Sequence, residues 1–436
     1  MKNIEHLYLL IGTNPLSNYV VADYFLKNAV GLKTIHLIHS ADDSENNIQG
    51  TGLFASHLKS VLKKNENKNA EDIQIIQIFL HEIRIKDAFS IHADLKNMLL
   101  QSKSNDLKNV HLDYSGGTKE MSLHAYETFK EIFGEAVTFS YFDSRRNRLK
   151  EDSDAHEPIA SIFLGNQVEI GFEDLFELHG YRAIPEEEDS GGFSAEFFKD
   201  FLEIITNPDN FCKYLKWRKH FYDVYPDPGK VIPVHGKNKL SDLLPEDPEF
   251  SALLKKTLFL KILEDKPEYS LIEKRNGDYY LRTEVSNKQM DKLIETRKYI
   301  TGKWFEQYVY SVLKENLFDK GIVSSIDLNI LVQTASKKFE IDVALIKGYE
   351  LCGISCTTDK TQSLCKSKGF EILHRTKQIA GDSSKAVLVT FMNETHTAET
   401  DADLSEILED RILVFGMNDL FPQEEFCRKV ADFLSF

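Results

Sequence analysis

The first 150 residues alternate short apolar runs with stretches whose apolar positions recur every three or four residues. HLYLLIG (6–12), TIHLIHS (34–40), IQIIQIFL (73–80), NVHLDYS (109–115) and AVTFSYFDS (136–144) read as strands. Residues 17–30, 54–64, 91–102 and 119–133 read as helices. In the first of them Val20, Val21, Tyr24, Phe25 and Val30 make a face suited to packing on a sheet. Strands and helices taking turns predict a parallel sheet covered by helices. Ligands of such sheets lie outside the carboxyl ends of the strands. Two loops there carry small and polar residues: Thr13-Asn14-Pro15-Leu16-Ser17 after the first strand, and Ser115-Gly116-Gly117-Thr118-Lys119 after the fourth. Gly116 and Gly117 let the backbone approach a ligand closely. Thr118 can cap the next helix, whose free amides favour an anion beside the Lys119 charge. An ordinary strand–turn–helix junction is the alternative reading of that loop alone. No G-x-G-x-x-G and no Walker lysine occur, so dinucleotide and ATP sites find little support.

Beyond this Rossmann-like stretch the pattern changes. DSRRNRLKEDSDAHEP (143–158) reads as a solvated hairpin tip, with nucleic-acid contact by its arginines as the alternative, and 172–184 holds a short helix ending at Gly180. PEEEDSGG (185–192) reads as an acidic linker. Residues 193–207, 210–225 and 251–265 are helical in pattern, 225–237 is a Pro/Gly-rich loop, and 269–283 forms a hairpin on Asn276-Gly277. Helix, hairpin and helix suggest a small winged-helix-like insert. The expected division is therefore 1–150, a mainly helical middle 151–300, and 301–436.

In the last part, 301–317 is an amphipathic helix carrying Glu306, and KFEIDVALIKGYELCGISCTT (338–358) is a hairpin turning at Gly348-Tyr349. That turn pairs Asp342 with Ser355 and Glu340 with Thr357. Glu340 and Asp342 point to one side, because strand side chains alternate. Two acids aimed together repel unless a cation lies between them, and a divalent metal is the usual answer. An exposed edge with two ordinary acids is the competing reading. Residues 366–381 form a helix, 386–391 and 411–416 buried strands, and 419–434 a closing helix. Residues 360–378 set five basic residues, Lys360, Lys366, Lys368, Arg375 and Lys377, against Glu371 alone.

Charge and cysteine usage narrow the classes. A net charge of −16 argues against a general nucleic-acid coating protein but allows an enzyme with a small basic cleft. No apolar run reaches the roughly 18–20 residues of a membrane span, and MKNIEHLYLLIG lacks the form of a signal peptide. Five cysteines without paired C-x-x-C spacing suggest neither a disulfide framework nor zinc; a cytoplasmic location is expected.

The first-strand loop and the SGGTK loop together resemble those of a CARF domain, the ligand sensor of CRISPR-associated accessory proteins. The resemblance implies a homodimer holding a cyclic oligoadenylate across its two-fold axis, with Thr13, Asn14, Ser17, Ser115, Gly116, Gly117, Thr118 and Lys119 as ligand contacts. Helix, acidic hairpin and basic helix resemble the restriction-endonuclease-like, PD-(D/E)xK, nuclease core. Asp342 matches the family's first acid, whereas Ser355 stands at the second and Thr357 at the lysine position. By this resemblance Glu306, Glu340 and Asp342 would hold Mg²⁺ or Mn²⁺, and Lys368 or Lys366 would replace the lysine. Lys368 is preferred because Ile372, one turn on, looks buried toward the sheet. The pairing resembles type III CRISPR ancillary nucleases over about two-thirds of the chain. It implies a nuclease of DNA or RNA, activated by cyclic tetra-adenylate or hexa-adenylate. A ligand-gated nucleic-acid-binding regulator with a degenerate nuclease domain is the alternative, and a ring nuclease acting on its own ligand is a third.

Overall fold

A computed structural model describes residues 3–68, 76–101, 107–152, 161–184, 201–202, 204–224, 239–282, 287–334 and 338–434. The linker 185–192, most of the helix expected at 193–207 and the loop 225–237 lie outside the described residues. Contacts divide the chain into two compact units. The first joins residues 1–184, 314–355 and 361–436; the second holds 185–313 and 356–360. Residues 151–184 thus join the first unit and 301–313 the second.

The first unit is mixed α/β and contains two sheets. Strands β1 (His6–Leu10), β2 (Thr34–Ser40), β3 (Gln77–Ile83), β4 (Val110–Asp113), β5 (Val137–Asp143), β6 (Arg148–Asp152) and β7 (Ser161–Phe163) form the larger one, in the order 3-2-1-4-5-6-7. The first five are parallel, and β6 and β7 continue the sheet antiparallel. Helices α1 (Pro15–Asn28), α2 (Gly52–Lys68), α3 (Ala88–Gln101) and α4 (Lys119–Phe133) make the crossovers, as the alternating pattern requires. One expectation is displaced: β3 begins at Gln77 and runs to Ile83, where apolar content predicts 73–80. It is an edge strand with Phe79 and Leu80 partly exposed, so apolar density does not mark its limits.

After the helix α5 (Phe172–Leu178), β8 (Arg182–Ile184) leaves the first sheet and joins the second. The second sheet continues with β11 (Ser325–Gln333), β12 (Lys338–Lys347), β13 (Glu350–Cys356), β14 (Lys385–Val389) and β15 (Ile412–Phe415), in the order 15-14-13-12-11-8. Neither β8 nor β11 is evident from the sequence pattern; Asn329 at a positive φ of 53° interrupts the alternation of β11. The hairpin β12–β13 keeps the expected register, from Lys347 opposite Glu350 to Val343 opposite Ile354. Its turn is buried: Tyr349 is 1% exposed, and its hydroxyl donates to Asn147 Oδ1 at 2.7 Å in the β5–β6 turn. A single apolar cluster runs from Leu7 and Leu9 of β1 to Ile346, Ile372 and Leu388 beside the second sheet. The two sheets of this unit therefore share that core.

Among its described residues the second unit is mainly helical with one two-stranded hairpin, β9 (Ile272–Arg275) and β10 (Asp278–Leu281), turning at Asn276 and Gly277 with positive φ at both. Its core stacks Trp304 edge-on against Tyr214 and Phe201 at 5.6 and 5.4 Å.

Candidate functional site

β1 and β4 are neighbours, and the chain leaves them on crossovers of opposite direction, so the gap beyond Leu10 and Asp113 is the topological switch point. Both loops singled out by sequence meet there. Asn14 caps α1, its Oδ1 accepting the Leu16 N–H at 3.2 Å, with Pro15 in the first turn. Thr118 caps α4 through the Met121 N–H at 3.1 Å, leaving the earlier amides of that helix open to an anion. Lys119 is exposed at this helix start, Thr13 is exposed, and Ser17 and Ser115 are half-buried.

Glycine decides how closely the loops approach. A methyl at Gly116 would collide with the Leu10 carbonyl oxygen, and one at Gly12 would lie 3.0 Å from the Gly117 nitrogen. Gly117 has φ 76°, a conformation that side chains disfavour. The two loops therefore act as one backbone-lined surface. Beneath it lies a residue that sequence reasoning missed. Asn18 is fully buried, donates through Nδ2 to Leu10 O at 2.8 Å, and leaves Oδ1 without a partner beside Gly116. An asparagine in line with Val21 and Phe25, three and seven positions on, was the available signal.

Asp113, at the end of β4, anchors the second loop. Its Oδ1 accepts the Ser115 N–H at 3.1 Å, its Oδ2 accepts the Ser140 hydroxyl at 2.7 Å, and the Ser115 hydroxyl accepts the Phe142 N–H. Burial pushes the Asp113 carboxyl up from 3.8 to about 6, opposed only in part by the Ser115 and Ser140 bonds. A raised acid binds its proton more tightly when folded. Its contribution is therefore fully present below pH 3.8 and is lost as the pH rises through about 6. At neutral pH the buried charge costs up to about 3 kcal/mol by the conversion of pKa to free energy. Asp113→Asn should flatten the pH dependence of the melting temperature between pH 4 and 7. Parallel curves for the two proteins would contradict the assignment.

The acidic hairpin lies in the same unit. Ser355, 9% exposed, donates to Asp342 Oδ2 at 3.2 Å, so its hydroxyl is bonded to the acid opposite it on the hairpin. Asp342 is half-buried and Glu340, two residues earlier, is exposed. Glu306 and Thr357 belong to the second unit. Among the described residues no group of three or more His, Cys, Asp or Glu side chains is placed to hold a metal. Two carboxylates on one strand nevertheless suit Mg²⁺ or Mn²⁺, which leave most positions to water and phosphate oxygens. They fall short of a structural zinc site, which closes with four ligands.

The helix Gln362–Ala380 packs on this hairpin through Ile372 and Thr376. Their side chains leave room only for hydrogen at Gly353 of β13. Lys368 stands one turn before Ile372 and is half-buried, whereas Lys366 is ion-paired with Asp403.

No protein-family model matches the sequence, and no curated protein matches it. Solved structures do match in fold. Can2 from Sulfobacillus thermosulfidooxidans, in complex with cyclic tetra-adenylate, aligns over 97% of this chain and 98% of its own, with TM-score 0.63 and 15% identity. Protein VC1899 from Vibrio cholerae aligns over 98% of this chain and 97% of its own, with TM-score 0.62 and 16% identity. At such identity the likeness is one of fold, and it extends over both units of the chain.

Proposed function

We propose that this protein is a cyclic-oligoadenylate-gated, metal-dependent nuclease of type III CRISPR defence, acting as a homodimer. The observation that carries the reading is the paired loop surface at the β1–β4 switch point, on a chain that shares its fold almost end to end with a cyclic tetra-adenylate complex. Gly116 and Gly117 bring ligand and backbone together, while the α4 amides and Lys119 meet its phosphates. Thr13, Ser17, Ser115 and Thr118 supply hydroxyls for ribose and phosphate. Asp342 and Glu340 would hold the metal ion, which when bound would polarise the scissile phosphate and supply a nucleophilic water. Lys368 stabilises developing charge, and the basic residues of 366–377 track the nucleic-acid backbone.

The lysines separate by their surroundings. Lys368→Ala should cut the catalytic rate by about 10²-fold or more, as loss of one transition-state donor does. Lys366, already paired with Asp403, should on replacement by alanine mainly weaken nucleic-acid binding and flatten its salt dependence. Single-turnover rates at several salt concentrations test this; the reverse pattern would assign the catalytic role to Lys366.

The Ser355–Asp342 hydrogen bond favours a second reading: a ligand-gated nucleic-acid-binding regulator in which the second acid and the lysine have been lost. Calorimetric titration with cyclic tetra-adenylate, with the linear tetramer as control, tests the ligand reading common to both. Heats no greater for the cyclic than for the linear compound would overturn it.

A further inference from the structure

Asn14 stands in the first ligand loop, yet its side chain is turned toward the protein. Its Oδ1 accepts the Leu16 N–H and lies 3.3 Å from His179 Nε2, at the end of α5. Its amide also lies directly against Gly381, where a methyl group would collide with it. Gly381, at φ 71°, ends the Gln362–Ala380 helix. That same helix carries Lys366 and Lys368 and packs through Ile372 and Thr376 on Gly353, two residues before Ser355 and its bond to Asp342. A continuous run of packed groups therefore joins the ligand loop to the acidic hairpin within one unit.

We propose that Asn14 is a positioning residue that transmits ligand occupancy to the 362–380 helix, by exchanging its clamp on His179 and Gly381 for contact with the bound ligand. The inference rests on the ligand reading above and specifies how that site regulates the other.

The clamp is built to release. His179 faces two acceptors, Asn14 Oδ1 at 3.3 Å and Leu175 O at 3.1 Å. Burial lowers its pKa to about 4, so at neutral pH the imidazole has one N–H for both. With the proton on Nε2 it bonds Asn14 Oδ1; with the proton on Nδ1 it bonds Leu175 O and its hold on Asn14 is lost. Since the two tautomers each satisfy one acceptor, small differential ligand contacts suffice to choose between them.

Amide hydrogen exchange of residues 376–384, with and without cyclic tetra-adenylate, tests this without depending on cleavage. In the wild-type protein saturating ligand should speed exchange there about tenfold, as the helix end loses its clamp. Gly381→Ala and His179→Leu, which break the clamp from opposite sides, should exchange fast already and respond to ligand less than about twofold. Two variants are used because a side chain at positive φ also strains position 381. Unchanged exchange in wild-type protein that binds the ligand would overturn the coupling alone. Wild-type protein that fails to bind would overturn the ligand reading beneath it.

Discussion

Asp342→Ala should abolish ligand-stimulated cleavage while the protein still binds cyclic tetra-adenylate. A carboxylate that helps hold a metal against the scissile phosphate contributes several kcal/mol to the transition state, so its loss should cost about 10³-fold or more in rate. Alanine also strips Ser355 of its acceptor, and a structural effect must be told apart from a chemical one. Asp342→Asn separates them, because the amide oxygen still accepts from Ser355 while the charge is gone. Both variants should be equally inactive, and the asparagine variant should melt within a few degrees of the wild type. The ligand loops lie at the ends of β1 and β4, whereas Asp342 is on β12 of the other sheet, so affinity for the ligand should be unchanged. Undiminished turnover by both variants would remove the hairpin from the chemistry.

Gly116→Val should eliminate ligand binding. The β-carbon would collide with the Leu10 carbonyl oxygen, and two paired backbone segments, unlike the end of a flexible side chain, have no cheap way to separate. Overpacking of this kind typically costs 1–3 kcal/mol of stability, roughly. The larger effect falls on the surface itself, since the loops can no longer form one backbone-lined face. Lys119→Glu is the companion variant. It leaves the backbone intact and sets a negative charge at a helix N-terminus where a phosphate should sit, so binding should weaken by about tenfold or more while the melting temperature stays constant. Valine at 116 binding the ligand normally would mean that the switch-point loops are structural only.

The legible parts of this molecule are those governed by local chemistry. Alternating apolar and amphipathic stretches mark the parallel sheet, the two capped helices and the loops between them, because crossover topology follows from that alternation. Gly348 and Tyr349 set the hairpin register that brings Ser355 to Asp342. Asn276-Gly277 likewise marks its turn through the positive φ that only such residues adopt readily. What escaped the sequence depends on contacts between distant segments. β8 pairs only three residues with β11, too few for a periodic signal, yet it ties the N-terminal half of the chain to the second sheet. The roles of Asn18, Asp113 and His179 come from burial and from the partners that folding brings: the Leu10 carbonyl, the Ser115 amide with the Ser140 hydroxyl, and the Asn14 side chain. Asn14 was legible as a loop residue, but its side chain's turn toward Gly381 was not, because that partner lies in the other half of the chain.

The most direct test of the account is cleavage of labelled single- and double-stranded DNA and RNA in Mn²⁺, with and without cyclic tetra-adenylate, and again after addition of EDTA. At least one of these substrates should be cut only when both ligand and metal are present. Protein that binds the ligand and the nucleic acid but cuts none of them, or that cuts equally well without the ligand, would contradict it.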